Sequence, residues 1–288
     1  MIGFWPDYER QCFEEFTDKN IAIHIFDPRD IFKDKKYKRL VPRNIKNFIY
    51  KNHIKQYIRR NTESIFVFQD SRVFIEFLLR KYSPRSHVLF RNTISEKNSQ
   101  NIGKLKARGH SLWSFDNNDC EKYNINFYNQ FTLYVPGIDK TAIEYDFSFI
   151  GRDKNRGPLL QRIKDKLEGY GFSVYTKVIS DNETPISYCE YLKDSCRAKC
   201  IIDISKDGQS GITLRPIEAL QYNRKLATNN EEIVKYNIYN KDNIILFREM
   251  SSMEMIREFL QRENATPGKG ILEQYTFDNL VDKILTSN

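Results

Sequence analysis

Residues 203–220, DISKDGQSGITLRPIEAL, gather the groups best suited to holding an anion. An apolar strand pattern ending in Asp203 runs into a loop containing Gly208, Gln209, Ser210 and Gly211, and that loop passes directly into a helical pattern. A strand-to-helix turn of this kind aims the first unpaired helix N–H groups, and the positive end of the helix dipole, at whatever lies ahead. Phosphate is the natural ligand. Ser210 is placed to cap the helix, Arg215 to fall on its first turn, and Glu218 to lie one turn further on. An arginine beside phosphate and a carboxylate beside ribose hydroxyls would complete a nucleoside diphosphate site. The same residues also suit a tight turn followed by a solvated Glu218, and composition alone does not choose between the two.

A second loop, FIGRDKNRGP over residues 149–158, sets Arg152, Lys154 and Arg156 beside Gly151 and Gly157. It suits the same phosphates, or plain surface. Neither the G-x4-G-K-[ST] P-loop nor the G-x-G-x-x-G dinucleotide fingerprint occurs. The chain has 5 cysteines, an odd number, in a sequence without the pattern of an exported protein, so free thiols are expected. Cys189, Cys196 and Cys200 are spaced more widely than zinc pairs and have no histidine nearby, so no metal site is expected there.

Such loops need a frame, and the chain offers one in alternating strand and helix patterns. Apolar runs at residues 1–5, 20–26, 64–70, 86–92 and 110–116 are separated by helical patterns, including 6–16 and 71–81. The alternation breaks over 132–146, where Pro136 and Gly137 fall, and resumes with runs at 147–152, 172–178, 200–205 and 225–229. Two helices are expected after residue 251. Continuous apolar runs mark strands of a parallel sheet covered on both faces. With 288 residues the chain exceeds the ~250 at which single cores stop growing. The expected fold is therefore α/β, with two Rossmann-like domains facing a central cleft, the first spanning 1–140 and the second 141–270. Within strands, His24 is expected to be packed in the core and His110 to be exposed at a strand start.

The combination of SFIGRDKNR, GQSGITLRPIEALQYNRKLATNN and YNIYNKDNIILF resembles the donor-binding half of bacterial GT-B glycosyltransferases of lipopolysaccharide, capsule and exopolysaccharide synthesis. The segment WSFDNNDCEKYNINFYNQF looks like the end of that family's N-terminal domain. The resemblance implies that residues 208–211 hold the donor diphosphate, that Glu218 bonds the ribose, and that Gly151 with Arg152 approaches from the other loop. It also implies a helix over 271–288 that packs back on the N-terminal domain. Retaining members of several such families carry Glu-x7-Glu, whereas the position eight before Glu218 is Ser210, so the resemblance leans toward inversion. Inversion needs a general base near the acceptor hydroxyl, in the N-terminal domain. Asp27, Asp70 and Asp116 end strand patterns there; Asp27 and Asp70 are preferred, and capping the following helix is the competing role for each. No D-x-D motif is present, which agrees with metal-independent transfer and no cofactor beyond the nucleotide-sugar donor.

Charge divides the chain unevenly. Residues 1–140 carry 25 Lys and Arg against 16 Asp and Glu, while residues 141–288 carry 21 against 22. The excess concentrates in residues 33–60, where eleven basic residues face one acid, Asp34. Within it, Lys35, Lys36, Lys38 and Arg39 are the candidates for contact with the acceptor or an anionic membrane. The expected partners are thus a nucleotide-sugar, a saccharide or lipid-linked saccharide acceptor and the anionic inner-membrane surface, with no nucleic acid. With no secretory n-region and no apolar run of ~18 residues or more, the expected location is cytoplasmic, peripheral at the inner membrane. Two alternatives stand beside this reading: a basic nucleic-acid-binding module, and a sugar-nucleotide epimerase or hydrolase on the same fold.

Overall fold

The computed structural model describes residues 1–4, 21–32, 40–80, 83–180, 183 and 186–287. The helix expected over 6–16 lies outside these residues, as do Lys35, Lys36, Lys38 and Arg39. The chain divides into two compact units, residues Met1–Asn129 with Leu280–Asn288, and residues Gln130–Asn279.

The first unit is built on six parallel strands: β1 (Ile2–Phe4), β2 (His24–Ile25), β3 (Phe66–Gln69), β4 (His87–Phe90), β5 (Ser111–Ser114) and β6 (Asn126–Phe127), in the order β2-β1-β3-β4-β5-β6. Helices α1 (Arg43–Arg59), α2 (Arg72–Leu78), α3 (Glu96–Ala107) and α4 (Asn117–Tyr123) connect them. The apolar runs become strands because their aromatic side chains meet one another across the sheet. Phe4 stacks on Phe68 with ring centroids 4.1 Å apart and meets Phe26 and Phe74 edge-on at 5.3 and 5.9 Å. Each such ring removes a large apolar area from water, so this cluster anchors the register of β1 against β3.

The second unit repeats the winding. Its strands β7 (Tyr145–Arg152), β8 (Val174–Ile179), β9 (Ala198–Asp203), β10 (Lys225–Thr228) and β11 (Ile244–Leu246) lie parallel in the order β11-β10-β9-β7-β8. Helices α5 (Gly157–Gly169), α6 (Tyr188–Ser195), α7 (Leu214–Gln221) and α8 (Met253–Gln261) follow in chain order, and the last helix, α9 (Phe277–Thr286), has most of its length in the first unit. In this order the chain leaves β7 to one side for β8 and crosses back to the other for β9. The carboxyl ends of β7 and β9 therefore diverge at a switch point, the position at which open α/β sheets hold ligands.

The second unit begins at Gln130, before the expected linker, where the chain makes long-range contacts within that unit. Thr132 Oγ1 donates to Gln221 Oε1 at 2.8 Å, and the Val135 N–H donates to the Tyr222 hydroxyl at 2.8 Å. Phe131 packs edge-on against Phe277 at 5.5 Å. At the far end of the chain, Leu280–Asn288 belongs to the first unit, where Lys283 Nζ lies 5.5 Å from the centre of the Phe127 ring. Among the described residues, no helix is long and apolar enough to cross a membrane.

Two histidines exchange the places expected of them. His24 is exposed because β2 is an edge strand of two residues. His110 is buried, with Nε2 donating to the Leu78 carbonyl at 3.2 Å and Nδ1 3.1 Å from Ser86 Oγ. Burial pulls the His110 imidazole below its ordinary value of 6.5, with Arg108 adding to the effect and the Leu78 carbonyl opposing it. The unfolded chain therefore takes up a proton at this position before the folded one does. Stability contributed here is complete above pH 6.5 and is lost as the pH falls below it. The melting temperature of the native chain is expected to drop more steeply on acidification through this range than that of His110→Gln; parallel pH profiles would overturn the assignment.

Candidate functional site

At the carboxyl ends of β7 and β9 an arginine whose side chain is 12% exposed joins the two strands. Arg215, on the first turn of α7, donates from Nη2 to the Ile150 carbonyl on β7 at 2.7 Å. Its Nη1 lies 3.5 Å from Asp203 Oδ1 at the end of β9, and the guanidinium sits 5.0 Å above the centre of the Phe149 ring. Gly151 makes this approach feasible, since a Cβ there would stand 2.6 Å from Arg215 Nη2.

Asp203 is the hub of the arrangement, and its role was not read from the sequence. It is 1% exposed, and besides Arg215 it accepts from Thr213 Oγ1 at 2.9 Å and Thr228 Oγ1 at 3.1 Å. Sequence carried one trace of it, a carboxylate closing the apolar run of β9. Thr213 is the N-cap residue of α7, yet its hydroxyl is given to Asp203 and caps nothing. Ser210, expected to cap this helix, lies three residues before that position. The amides at the start of α7 thus have no side-chain cap from their own N-cap residue.

The loop between β9 and α7 is held by asparagines that follow β10. Ser205 N–H donates to Asn229 Oδ1 at 2.7 Å while Asn229 Nδ2 donates back to the Ser205 carbonyl at 3.2 Å. The Gly211 carbonyl accepts from Gln209 Nε2 at 2.8 Å and Asn230 Nδ2 at 3.2 Å, and the Ser210 carbonyl accepts from the Tyr236 hydroxyl at 3.3 Å. Ser210 and Gly211 are consequently buried, and the exposed rim of the loop is Lys206, Asp207 and Gly208. Gly208 has a φ of 75°, a left-handed turn that any other residue would adopt with strain.

The opposite loop, after β7, brings further cations. Lys154 and Asn155 both take left-handed backbone conformations, with φ of 45° and 66°. Burial, followed by the like charges of Arg156, Lys206, Arg215 and Arg152, pulls the Lys154 ammonium below its ordinary value. Residues 149–158 and 203–220 carry five cations, Arg152, Lys154, Arg156, Lys206 and Arg215, against four carboxylates: Asp153, which accepts from the Gly157 N–H at 2.6 Å, Asp203, the rim residue Asp207 and Glu218. Arg152 directs Nη1 to the Ser180 carbonyl at 3.1 Å, toward the end of β8. Two side-chain nitrogens of the cluster, Arg156 Nε and Arg215 Nε, are buried without a hydrogen-bond partner. Unsatisfied donors of this kind, with excess positive charge around them, are what an oxyanion would complete.

Glu218 is placed differently from its neighbours. It is 1% exposed, on the face of α7 turned to α6, and accepts from the Tyr188 hydroxyl at 2.9 Å and the Tyr191 hydroxyl at 2.7 Å. Burial pushes its carboxyl above the ordinary range, against the pull of the two tyrosines and Arg215. The two tyrosines, each partly exposed, stand between it and solvent.

In the first unit the three candidate bases lie after β2, β3 and β5, and each already has work. Asp27 holds Arg29, whose Nε lies 3.1 and 3.0 Å from its two oxygens. Asp70 Oδ1 accepts from the Arg91 N–H at 3.3 Å, tying the end of β3 to the end of β4. Asp116 is the N-cap of α4, accepting from the Asp119 N–H at 3.1 Å. Asp119, not singled out from sequence, accepts from the Ile94 N–H at 2.8 Å, and burial raises its carboxyl above the ordinary range. Cys196 and Cys200 are buried and Cys189 is exposed; among the described residues no group of three or more His, Cys, Asp or Glu side chains could hold a metal ion.

No protein-family model matches the chain, and no curated protein matches it with significance. Solved structures do share its fold. The UDP-GlcNAc 2-epimerase of Methanocaldococcus jannaschii, in complex with UDP-GlcNAc and UDP, superposes with a TM-score of 0.53 at 14% identity, covering 100% of this chain and 98% of that one. An alpha-glucosyltransferase in complex with UDP and a 13-mer DNA containing a central A:G mismatch superposes with a TM-score of 0.50 at 12% identity, covering 94% and 87%. The α/β fold with two parallel sheets is that of GT-B proteins.

The pairing of Arg215 with Asp203 and with the Ile150 carbonyl leads to a direct test. Asp203→Asn and Gly151→Ala are each expected to lower unfolding stability by about 1–3 kcal/mol in urea titration, the range for losing a hydrogen bond to a charged group. Native stability in both variants would show that Arg215 is not fixed by these contacts.

Proposed function

We propose that the chain binds a nucleotide sugar in its second unit and transfers the glycosyl group to a saccharide or lipid-linked saccharide acceptor. The observation that carries this reading is the cation cluster at the β7 and β9 ends, with two buried arginine nitrogens, Arg156 Nε and Arg215 Nε, that have no hydrogen-bond partner among the described residues. A nucleoside diphosphate leaving group accumulates negative charge as the glycosidic bond breaks, and preorganised cations stabilise that charge with little reorganisation. Arg156, Arg215, Lys154 and the rim of residues 206–208 are positioned for the diphosphate. Glu218 already accepts two O–H donors, the pattern a vicinal diol offers, and the ribose hydroxyls would take the place of those of Tyr188 or Tyr191.

In this reading the acceptor hydroxyl is deprotonated by a first-unit carboxylate, for which Asp27 and Asp70 remain the candidates, with inversion at the anomeric carbon. The cations supply the positive charge the leaving group needs, so transfer is expected to proceed in EDTA. Loss of activity that added divalent ions restore would contradict that. A role in bacterial surface polysaccharide synthesis is the biological form that the resemblance suggests. A second reading, epimerisation or hydrolysis of the nucleotide sugar, is favoured by the fold shared with the UDP-GlcNAc 2-epimerase.

Thermal shift against UDP-, GDP-, ADP- and CMP-sugars tests the binding, and product analysis by mass separates transfer from epimerisation and hydrolysis. Arg215→Ala is expected to weaken binding of the nucleoside diphosphate by about 1–3 kcal/mol while sparing the nucleoside, because only the former carries phosphate. Glu218→Gln is expected to weaken both. Unchanged nucleoside affinity in folded Glu218→Gln would remove the ribose role, and failure of every nucleotide to shift the melt would remove the reading itself.

A further inference from the structure

The nucleotide-sugar reading needs a base in the first unit, and one carboxylate at the strand ends there keeps an oxygen open. Asp119 lies on the first turn of α4, directly after β5, on the carboxyl edge at which open α/β sheets hold ligands. The residue is 9% exposed. Its Oδ2 is fixed from two sides, accepting from the Ile94 N–H, between β4 and α3, at 2.8 Å and from Ser114 Oγ, at the end of β5, at 3.4 Å. Ser114 Oγ in turn accepts from the Asp116 N–H at 3.2 Å, and the Asp119 N–H donates to Asp116 Oδ1 at 3.1 Å. The carboxylate cannot turn without breaking bonds to both β5 and the chain after β4.

Oδ1 is left over. Among the described residues it accepts no hydrogen bond, and it is not one of the buried atoms that lack a partner, so its lone pairs meet water. Among the same residues no cation is paired with the group; Lys122, on the same helix, turns its ammonium to the Tyr123 ring, 5.2 Å from the ring centre. Burial, with the charge of Asp116 behind it, raises the Asp119 carboxyl above its ordinary value of 3.8, against the Ile94 N–H, the Ser114 hydroxyl and Lys122. The neighbouring Cys120 thiol is pushed up to about 11 by burial and stays neutral. Asp27 is the opposite case. Arg29 spans both of its oxygens, with Nε at 3.1 and 3.0 Å, and the Arg29 N–H donates to Oδ1 again at 2.8 Å. An acceptor hydroxyl would have to displace that guanidinium first, and Asp116 is committed to the cap of α4.

We propose that Asp119 is the base of the transfer reaction and that its Oδ1 receives the acceptor proton. As the acceptor oxygen bonds to the anomeric carbon, its proton passes to Oδ1, the bond from that carbon to the diphosphate oxygen breaks, and the electron pair leaves with the nucleoside diphosphate. The carboxyl gives the proton to water when product departs. Ile94 and Ser114 hold one oxygen so that the other can react. The assignment rests on the nucleotide-sugar reading for its reaction.

Release of free sugar from UDP-, GDP- and ADP-glucose, with water as the acceptor, tests it. The Asn carbonyl in Asp119→Asn can still accept from Ile94, so the melting temperature and the nucleotide melt shift should match the native chain while turnover falls about a hundredfold or more. Formate should restore part of the rate in Asp119→Ala, where a small carboxylate replaces the missing one, and do nothing for the native chain. The native rate should fall on the acid side as Asp119 takes up a proton, and that limb should be missing from Asp119→Asn yet present in Asp27→Asn and Asp70→Asn. Coupling to glycinamide with a water-soluble carbodiimide, mapped by mass, reads the open oxygen without turnover: Asp119 should be labelled at a pH where Asp27 and Asp116 are not. Native turnover in Asp119→Asn, loss of the acid limb from Asp27→Asn or Asp70→Asn, or an unlabelled Asp119 would each overturn the proposal. Melt shifts with native turnover in Asp119→Asn would remove this assignment alone, whereas no shift with any nucleotide would remove the nucleotide-sugar reading and this assignment with it.

Discussion

A guanidinium taken out of water requires an anion and carbonyl partners, and in the second unit Arg215 finds both only where β7 and β9 lie side by side. Its bond to the Ile150 carbonyl reaches one strand and its pairing with Asp203 reaches the other. The parallel winding sets the two strand ends next to each other, and the absence of a side chain at Gly151 leaves room for the contact. The remaining local features follow from it. Asp203 draws the Thr213 hydroxyl inward, and the start of α7 is left without that cap. Positive charge thereby accumulates on one edge of one sheet.

The two units share a winding and differ in what stands at the carboxyl ends of their strands. In the first, carboxylates of Asp70, Asp116 and Asp119 accept backbone N–H groups and hold the ends of strands and helices together. In the second, arginine and lysine crowd the corresponding edge, and the asparagines after β10 do the holding. Carboxylates suit proton transfer and cations suit phosphate, so the repeated frame presents two chemistries. In the first unit α1 carries five cations and no acidic residue.

Much of the frame was legible from residue order. Nine strands announce themselves as apolar runs, because a parallel strand covered on both faces must be apolar throughout. β6, Asn126–Phe127, has no apolar run to announce it, whereas β11, Ile244–Leu246, has one that the alternation of strand and helix did not single out. The helix caps at Ser95, Asp116 and Ser187 are local events and equally readable, since the capping oxygen and the amide it satisfies are three residues apart. Arg215 and Glu218 could be placed on α7 for the same reason.

Sequence by itself determined the class of fold, the strand-loop-helix segments and the types of group that those loops would offer. Tertiary structure decided what each group faces. Asp203 becomes a hub through partners ten to twenty-five residues away on α7 and β10, and no local pattern encodes that pairing. Glu218 is closed in by tyrosines of another helix. His24 and His110 exchange environments because exposure depends on whether a strand is an edge of the sheet, and strand order is set by crossover connections between distant segments. The chemistry of a side chain is a property of its type, whereas its solvation, and hence its function, belongs to the neighbours that the fold assembles.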